Sequence, residues 1–413
     1  MINKNTLQLL LLIAFAVETL CITYMMKAES FAPITSIIYF VSGIAIAKIV
    51  LFLPQPDKPI FRFNNTSQNI LKFSLITVIG FLICYFSVSI MNNNPMNYHN
   101  ADMLPVIKTM DQRFLGGQWK HVYDNIPEIW NGSQPIYLPA MWLPFAPAVA
   151  LNIDVRWMTV ACLIIVFGIS VLLISFRQKS SFTILLISAM LLWWLLSEDD
   201  THGFISFSEE GSVVVYYFLL VLAILSENIF LISIMACLCM MSRYALIGWV
   251  PAFFIYLLLN KKNKQAIIFS SIGILSFLFL FIIPFGWNAF IQLIKLPSQY
   301  VDFSKRVWND SPETFTDYIG FAKFFGADRM NTLHLLLISL SFIVPAAFVL
   351  IAHFLKKKMK LLNIPLATLK ISMVIFYNFI DVPYLYLFFT SSFVSLAMVV
   401  LFVRKNNAEL AIQ

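Results

Sequence analysis

Charge is what this chain has least of. Only 12% of its 413 residues are Asp, Glu, Lys or Arg, against 60% hydrophobic, whereas a soluble domain carries about 25% charged residues. That scarcity excludes a soluble domain. Cysteine is also sparse: Cys21, Cys84, Cys162, Cys237 and Cys239 all fall inside apolar runs. No disulfide framework is available outside the membrane, and Cys237-x-Cys239 reads as helix packing rather than metal ligation. His99 with Asp102 is too sparse for zinc. No metal or cofactor is expected; Asp199 and Asp200 are the weak oxygen-ligand candidates for a divalent cation. Internal repeats and low-complexity tracts are absent as well.

Apolar sequence fills the chain instead. Runs of about 20 apolar residues can cross ~30 Å of hydrocarbon as helices. Twelve runs are read, at 7–26, 34–53, 71–91, 157–176, 182–197, 212–225, 229–241, 244–259, 265–285, 332–354, 362–380 and 384–403. Those at 212–225 and 229–241 are short and read as a helical hairpin that dips in and returns. The first run exceeds the core of a signal peptide, and no small-x-small cleavage site follows it, so it is kept as a span. The expected fold is an all-α polytopic membrane protein, one integral membrane domain over residues 1–413.

The few charges set its orientation. Basic residues gather in alternate loops: Lys58, Arg62 and Lys72; Arg177 and Lys179; Lys261, Lys262 and Lys264; Lys356, Lys357, Lys358 and Lys360; Arg404 and Lys405. The positive-inside rule makes these loops cytoplasmic, with both termini inside. Their only acids are Asp57, Glu227 and Glu409. The net charge of +7 is therefore a topology signal, and no nucleic-acid partner is expected. The long loops, 92–156 and 286–331, fall outside, and each is expected to hold an amphipathic helix. One cytoplasmic connection is merely "SEN" at 226–228. The chemistry belongs on the outer face of what reads as a bacterial inner (plasma) membrane protein.

The first outer loop carries the densest pattern. "ADMLPVIKTMDQRFL" places Leu104, Ile107, Met110 and Phe114 at helical spacing with Lys108, Asp111 and Gln112 on other faces, suited to lying in the interface. Gly116 and Gly117 stop it, and Trp119 and Tyr123 suit the headgroup level. "PIYLPAMWLPFAPAVAL" then follows, with Pro135, Pro139, Pro144 and Pro147 around Tyr137 and Trp142. Kinked apolar backbone at membrane depth survives only under a cover of protein or beside a cavity.

An outer-loop acid, an amphipathic helix, "FLGGQWKHVYD" and "PIYLPAMWLPFAPA" leading into a span resemble the glycosyltransferase C superfamily. The layout is most similar to the polyprenyl-phosphate-mannose-dependent family 87 and its relatives. The resemblance covers mainly residues 98–160 and, in general layout, the chain to about 265. It implies transfer of one sugar from a polyprenyl-phosphate donor in the membrane lipid to a glycan, lipid or protein acceptor. Two departures stand out. No Gly-Gln-x-Asn occurs near 198–212, and two spans precede the helix leading into Asp102.

Asp102 matches the family's acid and is the expected base, since a weakly nucleophilic hydroxyl must lose its proton as the bond forms. The alternative is that it only caps the amphipathic helix. His99 is placed to orient that carboxylate or touch the acceptor. Arg243, in "MMSRYALIGWVPAF" between two apolar runs, is the candidate for the donor phosphate, whose charge grows on departure. The alternative is a snorkelling arginine. Asp111, Tyr137, Trp142, Glu209, Glu210, Lys305 and Arg306 complete the substrate-contact candidates. "SEDDTHGFISFSEEGS", which holds Glu209 and Glu210, reads otherwise as a solvated acidic loop. Glu18 and Lys48, both inside spans, are expected to pair with each other, and Lys370 to snorkel to the cytoplasmic side.

Two rival activities fit less well. A transporter or flippase of twelve spans resembles two halves with a long central connection, and here that connection is three residues. A polysaccharide polymerase or ligase carries its large outer loop late, with catalytic Arg or His.

Overall fold

The computed structural model describes residues 3–23, 31–56, 66–99, 102–176, 179–197, 203–359 and 361–403. Seventeen α-helices run through them: α1 Lys4–Cys21, α2 Ala32–Phe52, α3 Thr66–Asn93, α4 Met103–Leu115, α5 Pro139–Trp142, α6 Ala146–Ala150, α7 Arg156–Leu173, α8 Lys179–Ser197, α9 Gly211–Ser226, α10 Ile229–Met240, α11 Trp249–Leu259, α12 Asn263–Phe277, α13 Ile283–Asp310, α14 Glu313–Thr316, α15 Met330–Met359, α16 Ile364–Asn378 and α17 Leu385–Phe402. The chain is an all-helical membrane protein. Among the described residues, β-pairing is limited to one bridge between Ile126 and Ser133.

Eight helical stretches are long and apolar enough to cross a membrane: those of α1, α2, α3, α7, α8, α12 with the start of α13, α15, and α17. The other apolar runs form shorter helices, at Gly211–Ser226, Ile229–Met240, Tyr244–Leu259 and Ile364–Asn378. At 1.5 Å per residue, α9 and α10 reach only about 24 and 18 Å. Left-handed backbone at Glu227 (φ 58°) turns one into the other, and the Asn228 carboxamide caps α10 by accepting from Phe230 N at 3.0 Å. The open end of this hairpin carries Glu209 and Glu210 on one arm and Arg243 on the other.

Every side chain of α17 is buried, so this helix is the axis of the bundle, with α1, α9 and α16 packed around it. A buried ion pair locks it in place. Lys370 Nζ lies 2.6 Å from Glu18 Oε1, both side chains fully buried. Ser392 and Ser395 of α17 donate to the same carboxylate at 3.1 and 2.8 Å, and Ser391 Oγ accepts from Lys370 at 2.8 Å. This corrects two expectations. Glu18 pairs with Lys370 rather than Lys48, and Lys370 does not snorkel. Lys48 lies on an exposed face of α2, one turn from its end, within reach of the headgroups.

The segments around α4, α5 and α13 cover the open end of the α9–α10 hairpin. Ala140 N, in the proline-rich stretch, donates to Met241 O at 3.0 Å, and Phe321 N donates to Asn378 O at 2.7 Å. A π-helical turn at 278–282 leads into α13, which kinks at Gly286 (φ 83°). Tyr123 of the first long loop packs between Phe281 and Phe285, ring centroids 5.6 and 5.5 Å away.

Candidate functional site

Helix α4 forms where the spacing placed it, burying Leu104, Ile107 and Met110. Asp102 occupies its N-cap position, but with αR backbone, and its side chain makes no capping hydrogen bond. The carboxylate is thus not consumed by the helix. Burial pushes its carboxyl above the ordinary aspartate range. At the next residue, Met103 Sδ accepts from Tyr386 O–H at 2.6 Å, tying the start of α4 to the start of α17.

The second component is a carboxylate pair clamped on one guanidinium. Arg243 Nε donates to Glu210 Oε1 at 2.6 Å, Nη2 donates to Glu209 Oε1 at 2.6 Å, and Nη2 also pairs with Glu210. Glu210 is held again by Thr390 Oγ1, which donates to Oε2 at 2.9 Å. Among the described residues no second side chain anchors Glu209: its Oε2 is buried without a hydrogen-bond partner. Burial pushes the Glu209 carboxyl up to about 7 against the pull of Arg243. Both glutamates are buried, so residues 203–210 are not the solvated acidic loop that the sequence suggested. Nor is Arg243 a snorkelling anchor, because its guanidinium is spent on buried carboxylates.

A buried arginine that sequence reading missed holds this loop. Arg156, only 3% exposed, pairs with Asp154 Oδ2 at 2.6 Å. It donates to the carbonyls of Asn94, Ser206 and Met91 at 2.7, 3.2 and 3.2 Å. One guanidinium thus meets three backbone acceptors from the end of α3 and the 203–210 loop. Its sequence signal was the pair Asp154–Arg156 at the head of an apolar run. At Gly211 the loop rests directly on α7, where a Cβ would lie 2.6 Å from Thr159 Cα. Only glycine allows that approach.

Tyrosines join the two components. Tyr137 is buried within electrostatic reach of Glu209, Asp102, Arg243 and Tyr300. Tyr300 of α13 also faces Asp381, whose Oδ2 is 2.6 Å from His334 Nδ1. Tyr384 and Tyr386 stack at 5.7 Å at the head of α17, and both lie within reach of Glu209. Sequence reading missed Tyr300, Tyr384, Tyr386 and the His334–Asp381 pair. "PYLY" opening the last apolar run was the available signal. Asp102, Glu209, Glu210, Arg243, Tyr137, Tyr300, Tyr384 and Tyr386 therefore share one end of the bundle, with the His334–Asp381 pair beside Tyr300.

The remaining candidates lie elsewhere. His99 is exposed, its ring on Tyr98 at 4.0 Å and against the edge of Trp130. Nine residues along a helix turn Asp111 about 180° from Asp102. Its carboxyl is buried with both oxygens unpartnered, and burial pushes it up to about 8. Trp142 is fully buried, donating from Nε1 to Tyr123 Oη at 3.2 Å; it supports Tyr137 from behind, since Tyr123 O–H donates to Tyr137 O at 3.0 Å. Lys305 is half-buried and Arg306 exposed, and α13 turns them about 140° and 120° from Tyr300. Asp199 and Asp200 lie outside the described residues. Among the described residues, no group of three or more His, Cys, Asp or Glu side chains is arranged to hold a metal ion. No protein-family model, curated protein or solved structure matches the chain.

Proposed function

We propose that this protein is a membrane-embedded glycosyltransferase. It moves a single sugar from a polyprenyl-phosphate carrier to a glycan, lipid or protein acceptor on the outer face of a bacterial inner membrane. The observation that carries this reading is the convergence of Asp102, free of any capping bond, with Arg243 and Glu209 around Tyr137. The resemblance of residues 98–160 to the glycosyltransferase C layout supports it. So does the shortness of α9 and α10, which are too short for full spans and carry the cluster at their open end, where a lipid-borne phosphate and its sugar would meet it.

In this mechanism Asp102 takes the proton of the acceptor hydroxyl. The freed oxygen pair attacks the anomeric carbon, the bond to the carrier's phosphate oxygen breaks with its electrons, and the anomeric centre inverts. Arg243 offers a guanidinium to the departing phosphate. The tyrosines give the sugar ring flat apolar faces and hydroxyl partners. Both termini face the cytoplasm in this orientation. The test is reconstitution of purified protein in vesicles with polyprenyl-phosphate hexoses and a cell-envelope glycan acceptor. Donor-dependent transfer is expected; solute or lipid flux without transfer sinks the reading.

A further inference from the structure

The charges at Arg243 do not suit a phosphate as they stand. Glu209 and Glu210 already neutralise the guanidinium once over, and Asp102 brings a further carboxylate to the other side of the shared Tyr137 neighbourhood. An incoming phosphodiester would bring a further negative charge into a buried site, where like charges repel strongly. One carboxylate must yield, and the two glutamates are not held alike. Glu210 has Arg243 on one oxygen and Thr390 on the other, and its backbone N donates to Ser208 Oγ at 3.0 Å. Glu209 has the Nη2 contact and a bond from its own backbone amide, but no second side chain among the described residues holds it, and its Oε2 is buried and unpartnered.

We infer that Glu209 is an exchangeable placeholder for the donor phosphate. The phosphate displaces Glu209 from Arg243 Nη2, and Glu209 takes up a proton as it leaves. This rests on the proposed transferase reading and deepens it: donor entry is coupled to protonation of a residue other than the base. The groups facing Glu209 are consistent with that assignment. Among the described residues Arg243 is the cation that meets it and Glu210 the neighbouring carboxylate, while Tyr137, Tyr300, Tyr384 and Tyr386 are neutral phenols, three of them also within reach of Asp102. Once Arg243 turns to the phosphate, nothing in that set stabilises a charged Glu209. Its proton affinity is already raised by burial in the empty site. The neutral acid can then donate a hydrogen bond, from an oxygen that now has no partner, to a phosphate or sugar oxygen.

The sign follows by linkage. The bound state holds more protons, so donor affinity is greatest at low pH and falls about tenfold per unit above the Glu209 range. The test is titration calorimetry of the detergent-solubilised full chain at pH 8 with a short-chain prenyl phosphohexose. That diester has no second phosphate ionisation to confuse the count. Repeating it in buffers of different ionisation enthalpy reads the protons taken up. About one proton per donor is expected in wild type and in Asp102→Asn, and about none in Glu209→Gln, with affinity flat in pH. Binding without uptake in wild type overturns the exchange while leaving the transferase reading intact. Uptake that survives Glu209→Gln, or vanishes in Asp102→Asn, assigns the proton elsewhere and also overturns it. A diester that does not bind at all removes the transferase reading, and the placeholder with it.

Discussion

Replacing Asp102 with asparagine separates chemistry from structure more sharply than any other single change here. A genuine N-cap lost to alanine costs about 0.5–2 kcal/mol. Asp102 makes no capping bond, so even the lower end of that range overstates what the fold can lose. Linkage adds a term of the opposite sign. The carboxyl is raised in the folded protein by burial, so the folded state binds more protons than the unfolded one. Stability therefore falls as pH rises above the unfolded value, and removing the charge relieves that penalty at neutral pH. Asp102→Asn should melt at or slightly above the wild-type temperature. Its rate should fall by about 10²–10⁴, the worth of a positioned base, or roughly 3–5 kcal/mol of barrier. The assay is transfer from a polyprenyl-phosphate hexose to acceptor, beside donor binding and melting of the same preparation. At saturating donor, wild-type activity should rise with pH through the raised Asp102 range and then level, and the variant should lose that acid limb. Near-wild-type turnover, or a lowered melting temperature with activity kept, refutes the role of base.

Arg243→Ala strips from two buried carboxylates the cation that pairs with both among the described residues, so it should cost about 3–5 kcal/mol and lower the amount of folded protein. Arg243→Lys keeps the charge but loses the fork. It should fold and bind prenyl phosphohexose at least tenfold more weakly by calorimetry, roughly the 1.4 kcal/mol of one charge-assisted hydrogen bond, and unchanged affinity would remove Arg243 from the phosphate. Glu18→Gln or Lys370→Met alone should each destabilise by about 3–5 kcal/mol, whereas the double variant should recover most of the melting temperature and retain transfer. Proton-coupled flux abolished by the double variant would make the pair a transport element. Accessibility tags at both ends and at 356–360 should report cytoplasmic, and tags at 110–130 and 305–325 external; a cytoplasmic signal near 120 puts Asp102 on the wrong face.

Local features were legible in the sequence, and partners across long separations were not. The apolar runs became helices because nothing in lipid satisfies backbone groups better. Leu104, Ile107 and Met110 appeared buried on one face of α4 as their spacing required. The Glu18 pairing failed for a physical reason. Proximity in sequence favoured Lys48 on the adjacent antiparallel helix, yet the true partner is 352 residues away. The serines at 391, 392 and 395 lie along one side of α17, an otherwise apolar and wholly buried helix. That polar side required a buried charge to face it, and the last run displayed it in plain sequence. The acidic loop misled in the same way, because "GFISF" before the two glutamates is apolar enough to be drawn inside, carrying them with it.

Buried polar groups are almost always partnered, since leaving one unpaired costs about 1–3 kcal/mol. The exceptions therefore point to sites. Among the described acids, Glu18, Glu210 and Asp154 are fully engaged. Unpartnered buried carboxylate oxygens remain on Asp111, Glu209 and Asp381. Two of these three, Glu209 and Asp381, lie within electrostatic reach of Tyr300, and under the proposed reading a substrate rich in hydroxyl groups would supply the donors that both lack. Asp111 stands apart on the far face of α4. Its carboxyl, raised to about 8, is protonated at neutral pH, which spares the fold a buried charge without any ligand. At Asp381 one oxygen meets His334 Nδ1 at 2.6 Å while the other is left without a partner. Under the proposed transferase reading, the unpaired oxygens thus stand where a sugar hydroxyl would be bound, and Asp111, on the far face of α4, needs none.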